Sequence, residues 1–389
     1  MLEITSTAAL EEFCDRARAH DYVTIDTEFL RERTYYAQLC LVQMAFPGEG
    51  DDTAALIDTQ ADGLTLDPLF DLMRDASVVK VFHAARQDLE IFWHKGGLIP
   101  EPLFDTQVAA MVCGYGEQVG YETLVRKVAK GSIDKSSRFT DWSRRPLTDR
   151  QKTYALADVT HLRVIYEKLS ATLDRTGRRA WVEEEMAVLS SPATYETHPD
   201  DAWKRIKIRT NQPRFIAVVQ ALAAWREAEA QRRDVPRNRL MKDDALLELA
   251  SNKPRTPEDL GKSRLLQREA RKGGTAEGIL AAIGSAMDRP EDDLPKVDRA
   301  APQPAVSQAL SDLLRVLLKA RAEKSGVAQK LIATSADLDA FAADPKGDHP
   351  VLHGWRYEIF GREALDLIAG RIALGVSGDR VEIIQTAER

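Results

Sequence analysis

Residues 22–28, Tyr-Val-Thr-Ile-Asp-Thr-Glu, decide the fold and the chemistry that the sequence predicts. The aromatic and β-branched residues are typical of a buried strand, and Asp26 and Glu28, two residues apart, project from the same face of it. Two neighbouring carboxylates repel each other, which raises their pKa values. A bound divalent cation removes this cost. The stretch therefore predicts one half of a metal site.

The composition limits what else the chain can be. Its 389 residues predict two or three domains. It contains no run of about 18 uncharged apolar residues and does not begin as a signal sequence does, so we expect a cytoplasmic protein without a membrane span. Three scattered cysteines suit a reducing compartment and argue against a thiol nucleophile. The seven histidines form no zinc-binding pattern.

The first half of the chain predicts an α/β domain with a mixed sheet and flanking helices, over residues 1–190. Strands come first, and strands that alternate with helices follow. The predicted strands are residues 22–28, 38–46, 54–58, 78–82 and 103–105, and the predicted helices are 8–20, 68–74, 84–95 and 106–113. Thr148 and Gln151 have the spacing of a capping box, which predicts a further helix over 146–170.

The second half predicts two all-α bundles. Turn-forming residues at 190–200 indicate a linker, and a segment rich in Pro and Asp at 288–304 indicates another. Only helical patterns were found between and after them, which places the bundles at 201–288 and 304–385.

A faint internal repeat relates the two bundles. Residues 235–250 align without gaps to 327–342, and the helix N-cap candidates Asp243 and Ser335 coincide. A chance match between two helical patterns is the alternative explanation.

Four acids and a tyrosine are candidates for one site: Asp26, Glu28, Asp88, Asp158 and Tyr154. They come from a strand, a helix start and a late helix, which can converge at one end of a sheet. Oxygen ligands around a pair of hard cations about 4 Å apart serve phosphodiester hydrolysis. Taken singly, each has a structural explanation, such as a favourable charge at a helix N-terminus for Asp88.

Together these residues resemble a known family. Asp-Thr-Glu at 26–28, His-Ala-Ala-Arg-Gln-Asp at 83–88 and Tyr-Ala-Leu-Ala-Asp at 154–158 are similar to the three exonuclease motifs of the DEDD superfamily. The tyrosine four residues before the last acid is typical of the DEDDy branch. Residues 31–39 and 134–148 resemble the bacterial ribonuclease D family, and the helical bundles resemble tandem HRDC domains.

The resemblance implies a function. It implies an RNase H-like core that hydrolyses RNA from the 3′ end and releases nucleoside 5′-monophosphates, using two Mg²⁺ or Mn²⁺ ions. By analogy, Asp26 would contact both ions, Glu28 and Asp158 would complete the site that activates water, and Asp88 would hold the second ion. Tyr154 would orient the attacking water. The expected substrates are transfer RNA precursors and other structured RNA 3′ ends, and the expected state is a monomer.

Several residues near this site are candidates for binding RNA. Tyr36 could stack on a terminal base, with core packing as the alternative, and His83 is either catalytic or structural. A group of basic residues is expected to contact phosphates, although each one alone is explained as a solvated charge. The group comprises Arg31, Arg33, Lys135, Arg138, Arg144 and Arg145.

The charge of the chain is uneven. The net charge is −7, yet residues 201–275 contain 18 Lys and Arg against 10 Asp and Glu. Such a basic segment predicts binding to a polyanion, and a solvated helical surface is the alternative. The candidates for contact with the RNA backbone are Lys204, Arg205, Lys207, Arg232, Arg233, Arg237 and Arg239.

Two other functions are compatible with these patterns. A 3′–5′ DNA exonuclease of the same superfamily differs in its response to the 2′-hydroxyl, and no residue here identifies that contact. A non-catalytic RNA-binding scaffold is the other alternative. The intact set of four acids and a tyrosine argues against it, because scaffolds usually lose an acid.

Overall fold

A six-stranded mixed sheet forms the centre of the first domain in the computed structural model, which describes residues 1–48, 50–138, 140–295 and 307–386. The strands are β1 (Leu2–Ile4), β2 (Tyr22–Leu30), β3 (Gln38–Ala45), β4 (Ala54–Ile57), β5 (Val79–Phe82) and β6 (Leu103–Asp105). Their order is β1-β4-β3-β2-β5-β6. β3 is antiparallel to both β2 and β4, and the other neighbours are parallel. The predicted mixed sheet is confirmed.

Helices cover the sheet and supply its core. They are α1 (Thr7–Ala17), α2 (Asp67–Arg74), α3 (Arg86–Gly96), α4 (Thr106–Val112), α5 (Tyr121–Leu124), α6 (Asp149–Thr176) and α7 (Arg179–Leu189). The Thr148 hydroxyl accepts the Gln151 N–H at 3.3 Å, and the Gln151 side chain accepts the Thr148 N–H at 3.0 Å. This capping box begins α6 where it was predicted. The buried face of α6 includes Ala155, Val159 and Leu162.

A helical unit with its own apolar core follows the segment at 190–200. It consists of α8 (Pro213–Arg233), α9 (Arg237–Leu240), α10 (Asp243–Asn252), α11 (Pro257–Gly261) and α12 (Gly273–Asp288). Leu222 on α8, Leu246 on α10 and Ile279 on α12 are fully buried in this core. Since α8 is the longest of these helices and packs against both α10 and α12, it organises the unit.

The third unit is not all-α, so that part of the predicted fold is wrong. After α13 (Gln308–Ser325), α14 (Gln329–Ile332), α15 (Ser335–Ala343), α16 (Gly354–Arg356) and α17 (Arg362–Ile368), the chain forms an antiparallel hairpin of β7 (Ile372–Ser377) and β8 (Arg380–Gln385). A two-residue loop joins the strands, and Gly378 adopts a φ of +63° there. Glycine allows the left-handed conformation that such tight hairpins need.

The internal repeat has a structural counterpart. α9 and α10 begin at residues 237 and 243, and α14 and α15 begin at 329 and 335, which is the same offset of 92 residues in both cases. The predicted N-caps were one residue too late, because Lys242 and Thr334 occupy the N-cap positions. Most of the predicted second linker, 288–304, lies outside the described residues. Within the described part of the chain, no helix is both long and apolar enough to cross a membrane.

Candidate active site

The half of β2 that carries Asp26 and Glu28 extends beyond the parallel strand β5. β5 pairs only with Tyr22, Val23 and Thr24, so Asp26 and Glu28 project past the end of β5. On the other side, β3 continues to pair with this half of β2. The chain leaves β5 and enters α3, which places Asp88 in the first turn of that helix beside the exposed end of β2. α6 packs across β2 and β3 and brings the third acidic motif to the same place.

The structure brings the predicted acids together. Carboxylate oxygens of Asp26, Glu28 and Asp158 lie within 4.8 Å of one another. Asp88 lines the same cavity of about 430 Å³ as Asp26, Tyr154 and Asp158. The Thr27 hydroxyl donates a hydrogen bond to the Asp88 carboxylate and fixes its orientation. Residues that are 130 positions apart in sequence therefore share one small cleft.

The acids are held in a state that favours cation binding. Burial, followed by the charges of Asp88, Asp158 and Glu28, raises the pKa of Asp26 well above its usual value. Burial and the neighbouring acids raise the pKa of Glu28 to about 9. Burial also raises the pKa values of Asp88 and Asp158 to about 7. Clustered oxygen donors with such raised pKa values fit hard divalent cations, whose charge offsets the repulsion.

Tyr154 and Arg138 complete the polar lining. Burial and then the charges of Asp158, Glu28 and Asp26 raise the pKa of Tyr154, so its phenol remains protonated at neutral pH. A hydrogen bond from the Tyr154 hydroxyl lowers the pKa of Asp158. The exposed Arg138 lines the cavity and lowers the pKa values of both Glu28 and Asp158. The site thus combines four carboxyl groups with the phenol of Tyr154 and the guanidinium of Arg138.

Comparison with known proteins identifies the family. Residues 1–174 match the model of a 3′-5′ exonuclease domain, and residues 215–283 match the HRDC domain. Ribonuclease D of Jannaschia sp. (strain CCS1) is 60% identical over 98% of this chain and 99% of its own length. Ribonuclease D of Granulibacter bethesdensis is 50% identical over 98% of this chain and 96% of its own.

The chain belongs to the ribonuclease D family. A crystal structure of Escherichia coli RNase D, described as an exoribonuclease involved in structured RNA processing, superposes with a TM-score of 0.80 at 32% identity. The match covers 95% of this chain and 98% of the other. The family and the exonuclease domain expected from the sequence are therefore confirmed, and the protein is a nuclease.

His83 lines the same cavity as Asp26, Asp88 and Asp158, and one of its ring nitrogens contacts another side chain of the domain. Its Nδ1 lies 3.0 Å from the Thr106 hydroxyl, which in turn donates to the Phe82 carbonyl at 3.0 Å. With its own proton given to Phe82, the Thr106 hydroxyl can accept a hydrogen bond from Nδ1. Burial lowers the pKa of His83, which keeps the ring neutral. Nε2 is buried and has no hydrogen-bond partner in the described part of the chain.

Tyr121 is a cleft residue that the sequence analysis missed. Its hydroxyl donates to the Asp158 backbone carbonyl at 2.5 Å, and its ring lies 5.3 Å from that of His83. Burial raises its pKa well above the usual value. Tyr121 therefore supports α6 at the position of the last acid. It lies in none of the three motifs and in a very short helix, so no periodic pattern marked it.

Some predicted RNA contacts lie away from the acids. Arg31 pairs with Glu90 at 2.5 Å, and Arg31 and Tyr36 line a second cavity. Arg145 donates to both carboxylate oxygens of Asp58 at 2.7 Å and to the Cys40 and Trp142 carbonyls. These contacts occupy the whole guanidinium group, and they assign Arg145 to holding the loop before α6.

The remaining candidates whose side chains are described lie at the surface. Arg33 is exposed, and Arg144 pairs with Asp141 at 3.3 Å. The Lys135 side chain lies outside the described residues. In the HRDC domain, Arg232 and Arg233 bind Glu229 and, by these hydrogen bonds, lower the pKa of that acid to about 2. Arg237 lies 3.4 Å from the buried Glu227. Contact of these residues with RNA stays a prediction.

Proposed function

We propose that the protein removes nucleotides from RNA 3′ ends by hydrolysis and releases nucleoside 5′-monophosphates. The observation that carries this proposal is the convergence of four acids in a 3′-5′ exonuclease domain: Asp26, Glu28 and Asp158 lie within 4.8 Å of one another, and Asp88 lines the same cavity as Asp26 and Asp158. The cavity volume of about 430 Å³ suits a terminal nucleotide rather than a duplex. The substrates proposed are transfer RNA precursors and other structured RNAs, in line with the E. coli relative.

The four carboxylates would hold two divalent cations, Mg²⁺ or Mn²⁺. When bound, these cations lower the pKa of water and stabilise charge on the attacking and leaving oxygens. Asp26 would be the central ligand, and the charges of all three other acids, which raise its pKa, support this role. Glu28 and Asp158 would complete one side of the site and Asp88 the other.

Tyr154 would position the attacking water. The raised pKa of Tyr154 keeps its hydroxyl protonated, which makes it a hydrogen-bond donor and a poor general base. The hydroxyl acts beside the Asp158 carboxylate, so water held between them would face a scissile phosphate in the cavity. Arg138, on the rim of the same cavity, would contact a non-bridging phosphate oxygen.

The domain limits and the state of the protein belong to the same proposal. Separate apolar cores support an exonuclease domain at 1–190, an HRDC domain at 201–288 and a second HRDC-like domain at 304–385. α9 and α14, and likewise α10 and α15, begin 92 residues apart, which supports the HRDC-like assignment of the third unit. We place the protein in the cytoplasm. We also propose that it is a monomer, and sedimentation of the purified protein would test this oligomeric state.

Digestion of end-labelled RNA tests the activity. With 5′-labelled RNA and Mg²⁺ or Mn²⁺, we expect a ladder that shortens from the 3′ end. With 3′-labelled RNA we expect a labelled mononucleotide, and a chelator should abolish both. Asp26→Asn should lower the rate by roughly 10³ or more, because the central ligand of the proposed cation site would be lost. Full activity of this variant, or activity in chelator, would contradict the proposal.

A matched DNA oligonucleotide separates the two nuclease alternatives. Since only RNA carries the 2′-hydroxyl, faster digestion of DNA than of RNA would indicate a DNA exonuclease. Binding of RNA without hydrolysis under all metal conditions would indicate a scaffold.

A further inference from the structure

A second cavity, larger than the one that holds the acids, lies between the exonuclease domain and the HRDC domain. Its volume is about 720 Å³. Three parts of the chain form its walls: the segment after β2 with α3, the connecting segment at residues 194–205, and the end of α8 with the start of α9. The four acids do not line it, so the cavity is distinct from the proposed catalytic site.

The lining of this cavity is basic although the chain is acidic overall. Four arginines line it together with two glutamates, Glu90 and Glu196, in a chain of net charge −7. Arg31 and Arg237 are paired with Glu90 and Glu227. Arg205 is exposed and has no ion-pair partner within the described ranges. Arg86 donates only a long hydrogen bond of 3.4 Å to a backbone carbonyl. Arg86 and Arg205 thus retain the donors that bind phosphate oxygens.

Aromatic rings lie beside these cations. Tyr36 and Trp93 line the cavity and are half-buried, and the exposed His94 has its ring centroid 4.6 Å from that of Tyr36. Planar rings next to arginines provide faces for bases and donors for the backbone, which is how proteins bind single strands without reading sequence. A small anionic metabolite would require the arginines but not the aromatic rings.

The two cavities are neighbours along two separate stretches of the chain. The cavity lined by Asp26, Asp88 and Asp158 is here called the acidic cavity, and the second one the basic cavity. Phe29 lines the acidic cavity and Arg31 lines the basic cavity, and two residues of extended chain span about 7 Å. Gln87 lines the acidic cavity, and the adjacent Arg86 lines the basic one. We propose that the basic cavity binds the single-stranded RNA segment just upstream of the 3′ nucleotide in the acidic cavity. This inference rests on the proposed function.

The walls of the basic cavity are already joined without RNA. The Asp234 carboxylate, at the end of α8, accepts the backbone N–H groups of Tyr35 and Tyr36 at 3.0 and 2.9 Å. The Tyr35 hydroxyl donates to the buried Glu227 of α8. A preformed site loses less ordering entropy when it binds a flexible strand. The HRDC domain therefore builds the binding surface together with the exonuclease domain.

Kinetics on substrates of two lengths test the inference in the full-length protein. A diribonucleotide fills only the acidic cavity, whereas a longer single-stranded oligoadenylate reaches the basic one. We expect wild type to show a higher kcat/KM on the oligoadenylate. Arg205→Ala should lower the ratio of the two kcat/KM values by about tenfold, as expected for one lost charge-assisted hydrogen bond. Arg205→Glu should lower it further.

Arg264→Ala is the matched control, because Arg264 is an exposed arginine of the same HRDC domain that does not line the cavity. A wild-type ratio in Arg205→Ala, or an equal fall in Arg264→Ala, would overturn the inference. For the oligoadenylate, Arg205→Ala should also reduce the slope of log KM against log salt by about 0.7, the contribution of one phosphate contact on a single strand. Failure of wild type to cleave even the diribonucleotide would instead contradict the proposed function.

Discussion

The four acids of the cleft illustrate how single residues trade stability for function. A carboxyl whose pKa is higher in the folded chain than in the unfolded one makes the fold less stable as it ionises. For Asp88, that loss begins above the unfolded value near 4 and is complete above about 7. The metal-free protein should therefore be less stable at about pH 8 than at about pH 5 as far as these acids are concerned. Their contribution is to cation binding and not to the stability of the fold.

Asp88→Asn should raise the Tm of the chelator-treated protein at about pH 8 and change it much less at about pH 5. Asparagine keeps an oxygen that can accept the Thr27 hydrogen bond, while it removes a buried charge. The gain should reach several degrees, since each kcal/mol moves Tm by about 2–4 °C in a domain the size of the exonuclease domain. Thermal unfolding at both pH values measures it, with the exposed Asp62→Asn as control. An equal gain at both pH values would show that charge is not the cause.

Tyr154→Phe should lower kcat by about 10²-fold and leave KM and metal affinity nearly unchanged. The phenol sits beside the acids without being a ligand in the proposal, so its hydroxyl contributes to positioning water only. Steady-state kinetics on short RNA and calorimetric titration with Mn²⁺ separate the two effects. A large loss of Mn²⁺ affinity would show instead that Tyr154 organises the ligands.

At the residue scale, sequence reasoning succeeded where local spacing determines geometry. Asp26 and Glu28 share a strand face, and Tyr154 and Asp158 lie one helical turn apart. It did not find the structural contacts of Arg145, because its partner Asp58 is 87 residues away and nothing in either local pattern marks the pair. Only the folded chain shows which arginines already form hydrogen bonds and ion pairs within the protein.

The junction between α8 and the loop after β2 is the element on which the basic cavity depends. Asp234 ends α8 with a φ of +49°, a conformation that asparagine adopts readily and alanine does not. Its carboxylate accepts two backbone N–H groups from the loop. Loop and helix are therefore fixed to each other at one side chain.

Asp234→Ala should free this loop, whereas Asp234→Asn should retain most of its order. Asp234 is exposed, and alanine loses both of its hydrogen bonds, a cost of about 1–3 kcal/mol for the two together. Hydrogen exchange at the Tyr35 and Tyr36 amides should accelerate in the alanine variant, and KM for long RNA should rise. Unchanged protection of these amides would mean that other contacts hold the loop.

At the element scale, the predicted strands and helices of the first domain match the structure to within a few residues, except for helix 146–170, which runs from Asp149 to Thr176. The hairpin of β7 and β8 was missed although its signal is present. Apolar residues recur around a two-residue Gly378-Asp379 loop, a pattern typical of tight hairpins. The expectation of a purely helical bundle outweighed it.

At the scale of the whole molecule, the third unit docks on the exonuclease domain. The Trp181 and Trp355 rings stack with centroids 4.9 Å apart, and Arg356 lies over Trp355 at 4.5 Å. The Ala328 amide donates to the Met111 carbonyl at 3.0 Å. The Trp181–Trp355 and Met111–Ala328 contacts join residues more than 170 positions apart, so a sequence pattern could suggest two helical units but not where they attach.

Arg356→Ala should loosen this docking. Arg356 pairs with Glu184 at 2.6 Å and with the partly buried Glu185, and it donates to the Leu331 carbonyl at 2.8 Å. Its loss leaves Glu185 without the cation that lowers its pKa, at a cost of about 2–3 kcal/mol. We expect faster hydrogen exchange at Ala328, a higher KM for structured RNA and little change on a diribonucleotide. Arg362→Ala, an exposed arginine of the same unit, is the control. Ala328 protection equal to wild type would show that the tryptophan stack alone holds the third unit in place.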